Sequence, residues 1–363
     1  MKVKTPIITP VLWLALTLLL AMGMAASAQL PVVTHAELQT VNSTGHTAWV
    51  ETLPFVIRGV IINDPEEMLD YSYDPDATVS NRLGGQYQMF FQGIGGDRGG
   101  TALWMAQNYQ AMGQAGQDYG TEWTNEMRRI QYDANGRKFR KGDLIEVTAR
   151  KALFRGGKRN INEAHRITES NDFDVVLVKA NVGVPSAEPI TLADLVNPDG
   201  TQIFDATRAT GGEHWQGMRV RLDHIRLSTT NGWGKTNWAD RICLAADQSG
   251  RTFPLRMPLL DLGPPKATDV WFSITGIINQ ENSNTNGYEL FVQEVGPELR
   301  ITQGANGRPA VSFSSDYDGY VLQYSDDGLN TWADLDATPV KTIIIEDQGD
   351  SINRMYRLIK KEE

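Results

Sequence analysis

The chain has 363 residues, 41% of them hydrophobic, and a formal charge of −10. That apolar content excludes disorder as the main state, and the acidic balance excludes indiscriminate attraction of the whole surface to nucleic acid. A single cysteine, Cys243, excludes an intramolecular disulfide, and its apolar setting, RICLAA, reads as a small buried hydrophobe.

The chain opens with Lys2 and Lys4, an apolar run over 11–24 and the small-x-small site Ala26-Ser27-Ala28. This is the layout of a secretory signal peptide over 1–28, cleaved near Ala28, and the run falls short of the roughly 20 residues a bilayer helix needs. The expected mature protein is exported to the periplasm, cell surface or medium. Loss of two lysines and no acids makes its charge −12. No later stretch is long and apolar enough to be a transmembrane helix.

Strand signals dominate the rest of the chain. PFVIRGVII (54–62), QYQMFFQ (86–92), TALWMAQ (101–107), DLIEVTARKALF (143–154) and DFDVVLVKANV (172–182) make about five strands. GIGGDRGG separates the second from the third and predicts a hairpin. A second set comprises MRVRLDHIRLS (218–228), ADRICLAAD (239–247), RTFPLRMP (251–258), VWFSITGIINQ (270–280) and YELFVQEV (288–295). Gln248-Ser249-Gly250 predicts a hairpin turn inside it. Strict alternation, as in 218–228, buries one face and wets the other. Helical signal is confined to 120–131 and 190–200. Each set has an opening strand, a central hairpin and a long strand-loop-strand, the pattern of a five-stranded OB barrel. The expected fold is all-β: a first OB-like barrel over 29–182, a second over 183–302 and a small β-rich module over 303–363.

Candidate chemistry is sparse. The five histidines, His35, His46, His165, His214 and His224, form no HExxH and no cluster with metal-ligand spacing. No GxSxG is present. The glycines at 93, 95, 96, 99 and 100 lack the Lys-Ser/Thr ending of a P-loop and read as a hairpin tip. Asp316-Tyr317-Asp318-Gly319 reads as a turn rather than a calcium loop. No cofactor, metal or catalytic set is expected, so the function expected is binding.

Two features point to a ligand. Between residues 128 and 166 stand twelve Lys or Arg against four Asp or Glu. Arg137, Lys138, Arg140, Lys141, Arg150, Lys151, Arg155, Lys158 and Arg159 are the candidate cations, with Trp104 and Phe154 as stacking surfaces. NGWGKTNW places Trp233 and Trp238 in a loop, where they suit stacking on bases or sugar rings or plug the barrel end. The expected partner is an anionic polymer, nucleic acid or acidic polysaccharide. A structural envelope or matrix protein and a metal-dependent nuclease with an unrecognised site are the alternatives.

The segment FRKGDLIEVTARKALFRGGKRNINEA (139–164) resembles the OB-like region found upstream of the catalytic domain in secreted bacterial nucleases of the endonuclease/exonuclease/phosphatase type. EPITLADLV (188–196) and EHWQGMRVRLDHIRLS (213–228) resemble that family's connector and entry strand, so the resemblance runs over 55–301. It implies the auxiliary barrels without the catalytic domain, since only the short terminal module comes after them. Within that module GYVLQYSDDGLNTWADL (319–335) resembles a fibronectin-type-III-like fragment.

Overall fold

In the computed structural model the described residues are 29–65, 87–105, 120–163, 172–235, 240–258, 262–263, 268, 270–282, 284–303, 309–312, 320–325, 331–334, 342–344 and 355–360. The segment 1–28 expected to be a signal peptide lies outside them, as do Trp238 and the expected turn at 316–319.

The first strand set comes after a one-turn helix, α1 (His35–Leu38), capped by Thr34 and Glu37 reciprocally. It comprises β1 (Phe55–Ile61), β2 (Tyr87–Gln92), β3 (Gly100–Met105), helix α2 (Gly120–Gln131), β4 (Leu144–Ala149), β5 (Leu153–Arg155), β6 (Lys158–Glu163) and β7 (Phe173–Lys179). The sheet order is β5-β6-β3-β2-β1-β4-β7, with β3 and β6 parallel. Only residues 150–152 separate β4 from β5. Counted as one bent strand, they join β1 on one side to β6 on the other and close a five-stranded circuit, with β7 added on β4. Gly156 and Gly157, both at positive φ (63° and 82°), make the two-residue turn between β5 and β6.

The second set is β8 (Glu188–Ile190), the one-turn helices α3 (Leu192–Leu195) and α4 (Gly211–His214), β9 (Arg219–Thr229), β10 (Ile242–Ala246), β11 (Thr252–Arg256), β12 (Trp271–Gln280) and β13 (Tyr288–Pro297). Its order is β10-β11-β13-β12-β9, and β10 pairs back onto β9 to close the barrel. β11 and β13 are the one parallel pair within that circuit. Both sets therefore take one path: first strand, second, third, fifth, fourth and back to the first. That is the OB topology, and the fold is all-β. Pro254 lies within β11, yet the ladder to β13 begins only at Leu255, past the missing N–H.

Each barrel has its own core. Phe55, Ile57, Tyr87, Phe91, Ile145, Val147 and Phe173 fill the first, and α2 adds Met127 and Ile130. Val220, Leu222, Ile225, Cys243, Phe253, Phe272 and Leu290 fill the second. The C-terminal strands β14 (Arg300–Gln303), β15 (Pro309–Ser312), β16 (Tyr320–Ser325), β17 (Ala333–Asp334), β18 (Thr342–Ile344) and β19 (Met355–Lys360) form two three-stranded sheets, β14-β15-β18 and β17-β16-β19.

A third cluster joins the barrels. Ile62, Phe90 and Ala102 from the first meet Ile277 and Phe291 from the second, with the Phe90 and Phe291 rings edge to face at 5.8 Å. Beside it the backbones touch. Gly100 donates to the Gln216 carbonyl at 3.0 Å, and a Cβ on Gly100 would lie 1.9 Å from the Gly217 oxygen. The glycine run thus divides in two. Gly95 and Gly96 are open at the hairpin tip, whereas Gly99 and Gly100 are packed at its base. Asp97 between them accepts from the His35 and Ala36 amides of α1 at 2.9 and 3.1 Å.

Gly100→Ala should destabilise the protein by about 1–3 kcal/mol, because the new methyl meets backbone that has no rotamer to change; denaturant unfolding measures it. His35 is fully buried between Thr101 and the Arg58 carbonyl, and burial lowers its pKa from 6.5 to about 4 against the opposing pull of Asp97. The unfolded chain therefore binds the extra proton first, and stability falls as pH drops from about 6.5 to about 4. Unfolding midpoints across that window should flatten in His35→Gln, and a slope unchanged by the substitution would refute the assignment.

Candidate functional site

The basic stretch is tied to acids. Arg137 holds the fully buried Asp143 through two bonds of 2.6 and 2.9 Å. Burial alone would raise the Asp143 carboxyl, but Arg137 and the amides of Arg140 and Asn181 outweigh it and hold it below its ordinary range. Arg150 pairs with Asp174, and Lys151 with Asp172 at 2.7 Å. Lys138, Arg140 and Lys141 are half-buried around the turn that Asp143 organises, and the Lys141 amide donates to Asp64 at 2.8 Å.

Lys158 and Arg159 are not surface cations. Both are buried, because β6 runs toward the junction between the barrels. Lys158 Nζ donates to the Gln280 carbonyl at 2.5 Å and lies 3.1 Å from Glu281. Burial would raise Glu281, yet Lys158 and Asn279 hold it lower than usual. Arg159 stacks over Trp49 at 4.6 Å and donates to the Ala152 carbonyl and Thr47. Burial lowers its pKa, with Glu51 opposing. Of the nine candidate cations, Arg155 alone is exposed without an acid partner among the described residues. Phe154 and Trp104 are half-buried on β5 and β3. Arg137, Arg150, Lys151 and Lys158 thus pair with acids, and Lys158 and Arg159 are buried.

OB barrels take ligands on the outer face of their second and third strands, with the loops after the first and fourth strands at its rim. In the first barrel these strands are β2 and β3, and their outward Phe90 and Ala102 lie in the cluster between barrels. In the second they are β10 and β11. Cys243, Ala245, Phe253 and Leu255 point into the core, so Ile242, Leu244, Thr252, Pro254 and Arg256 point outward. Leu244 and Pro254 face each other across the ladder and are half-buried. Arg256 binds Glu289 on β13 at 2.8 Å. Burial raises the Glu289 carboxyl despite Arg256.

The loop from β9 to β10 carries Trp233 and Lys235. Gly232 lies against the Ile242 backbone, where a Cβ would come within 2.4 Å, so the loop is drawn onto the start of β10. Trp233 is half-buried against the core and Lys235 is exposed. Trp233 thus packs against the barrel core and stays partly accessible. The end of β12 and the residues after it pack toward the first barrel: a Cβ on Gly157 would lie 2.1 Å from the Gln280 side chain, and one on Gly45 2.3 Å from the Asn284 oxygen.

His224 departs from the simple alternation of β9. It has φ of +53°, lies beside the bulge against β12, stacks on Trp271 at 4.5 Å and pairs with Glu298. Among the described residues no group of three His, Cys, Asp or Glu could hold a metal ion, and no helix is long and apolar enough to cross a membrane.

No family model matches the chain, and no curated protein sequence does. Among solved structures, the Ifi202 HINa domain in complex with 20-bp dsDNA is 7% identical, covering 70% of this chain and 90% of that one at a TM-score of 0.26. A murine DNA-binding protein bound with dsDNA is 11% identical over 67% and 98%, again at 0.26. A replication protein A heterotrimer bound to ssDNA is 9% identical over 74% and 70%, at 0.21. At these values the OB assignment rests on the strand order.

Because Arg137 serves Asp143, Arg137→Ala should lower stability by about 1–3 kcal/mol, the range for a buried acceptor losing a partner while its amide bonds remain. Arg155→Ala should change it by less than about 0.5 kcal/mol. Paired urea titrations of the two variants check the contrast.

Proposed function

We propose that the chain is an exported binding protein whose second barrel engages an anionic polymer, single-stranded nucleic acid first, on the outer face of β10 and β11. The observation that carries this reading is an asymmetry between two barrels of one topology. The face of β2 and β3 is occupied by the neighbouring barrel, whereas Leu244, Pro254 and the loop bearing Trp233 and Lys235 remain accessible. Half-buried apolar side chains beside a tryptophan suit stacked bases, with one exposed lysine for a phosphate. Because Arg137, Arg150, Lys151 and Lys158 are committed to acids and Arg159 is buried, stacking dominates this reading and charge is secondary. Export, and descent from barrels that accompany secreted nucleases, belong to the same proposal and draw on the leader and the motifs over 139–228.

The test is fluorescence anisotropy of the mature protein with labelled oligothymidylate and, in parallel, with a polyuronate. Trp233→Ala should weaken oligonucleotide binding roughly tenfold, on the scale of about 1–3 kcal/mol per stacked base. Lys235→Glu should weaken it and reduce the salt slope by about 0.7, one phosphate on a single strand. Absence of binding to both polymers, or affinities indifferent to both substitutions, overturns the proposal. A preference for the polyuronate replaces nucleic acid by polysaccharide.

A further inference from the structure

A cavity of about 350 Å³ opens where the N-terminal segment, the β2–β3 turn and the connector before β9 converge. Glu37, Thr40, Arg98, Thr207, Arg208 and His214 line it. It lies apart from the β10–β11 face, and no part of the polymer reading uses it. Its size is at the lower end for small-molecule sites.

Arg208 is its most constrained wall. The side chain is 10% exposed and the backbone has φ of +61°, a left-handed conformation a non-glycine residue adopts at a cost. Nη1 donates to the Gln39 carbonyl at 3.1 Å and lies 3.7 Å from Glu213, while Nη2 is itself buried and has no hydrogen-bond partner. Nη2 fits against Gly99, where a Cβ would stand 3.2 Å away. Glu213 is itself committed, accepting from the Tyr288 hydroxyl at 2.7 Å. Arg98 supplies the second cation. It binds Glu188 through Nη2 alone, at 2.7 and 2.8 Å, leaving Nε and Nη1 for another acceptor.

The remaining groups are acceptors. Thr40 donates its hydroxyl proton to the Glu37 carbonyl, and Thr207 donates its own to Asp205, so each oxygen offers lone pairs only. The His214 Nδ1–H donates to the Arg208 carbonyl at 2.7 Å, which leaves Nε2 as an acceptor in the neutral ring. The Glu37 Oε2 already takes the Thr34 amide and hydroxyl, and Oε1 is the carboxylate's other oxygen. Two guanidinium groups beside four acceptors recognise a ligand with one anionic group and several hydroxyl donors.

We infer that this cavity binds a small hydroxylated anion, a sugar acid or sugar phosphate, with the acid group on Arg98 and Arg208 and the hydroxyls on Thr40, Thr207 and Glu37. Isothermal titration of the mature protein with glucuronate, glucose 6-phosphate, inorganic phosphate and neutral glucose tests it. Glucuronate or the phosphate ester should bind, glucose and inorganic phosphate at least tenfold more weakly, and Arg98→Ala should cost at least tenfold without moving the melting temperature. Arg208→Lys, which keeps the charge, reads the buried wall; Thr207→Val reads the hydroxyl end should the arginine variant fail to fold. No binding by either acid, equal binding of glucose, or affinity unchanged in Arg98→Ala and Thr207→Val overturns the inference. Trp233→Ala should leave this site intact, which separates its failure from that of the polymer reading.

Discussion

The contact between the two barrels is the constraint on which the other features depend. Phe90 and Ala102 of the first barrel are buried against Ile277 and Phe291 of the second, in a patch too small to form a core by itself. Polar and backbone contacts extend it. The Gln293 amide donates to the Ile62 carbonyl at 2.6 Å, the Arg219 amide donates to Gln92 at 3.0 Å, and Gly100 meets Gly217. Burying these groups is tolerable only because each finds a partner across the junction. Once it forms, the outer face of β2 and β3 is covered, while Leu244 and Pro254 on the outer face of β10 and β11 stay half-buried.

Folding also decides where the charge goes. Among the cations gathered over 137–159, Arg137, Lys151, Arg150 and Lys158 meet acids, as folding brings Asp143, Asp172, Asp174 and Glu281 to them in turn. These contacts join the segments flanking β4, and strands β6 and β7, to their surroundings. Pairs with a buried member, such as Arg137 with Asp143, matter more than exposed ones such as Arg58 with Glu146. A linear count of charges registers composition; it is blind to acids that arrive from 24 or 123 residues away.

Much of the architecture is legible in the residues. The alternation of 219–229 gives β9, Gln248-Ser249-Gly250 gives the hairpin between β10 and β11, and the recurrence of five strands gives the repeated OB path. Cys243 is buried, as its apolar setting implies. Other features need the third dimension. A strand interrupted at 150–152 reads as one element until its halves are seen to pair with different neighbours. The cavity is illegible for the same reason: Arg98, Arg208 and His214 sit in turns and a one-turn helix with no period to mark them. The glycine run carries a partial signal, for glycines exceeding what a hairpin tip needs indicate close approach of another chain segment.

The Gly156–Gly157 turn has a consequence for how such a protein can be taken apart. It is both the closure of one barrel and the seat on which Gln280 and Asn282 of the other rest. Separating the halves for study would bare phenylalanines to water and leave Lys158 without its carbonyl and carboxylate. The two barrels share a blueprint yet are not exchangeable parts, and a chimera that duplicated either one would inherit a surface shaped for a neighbour it no longer has.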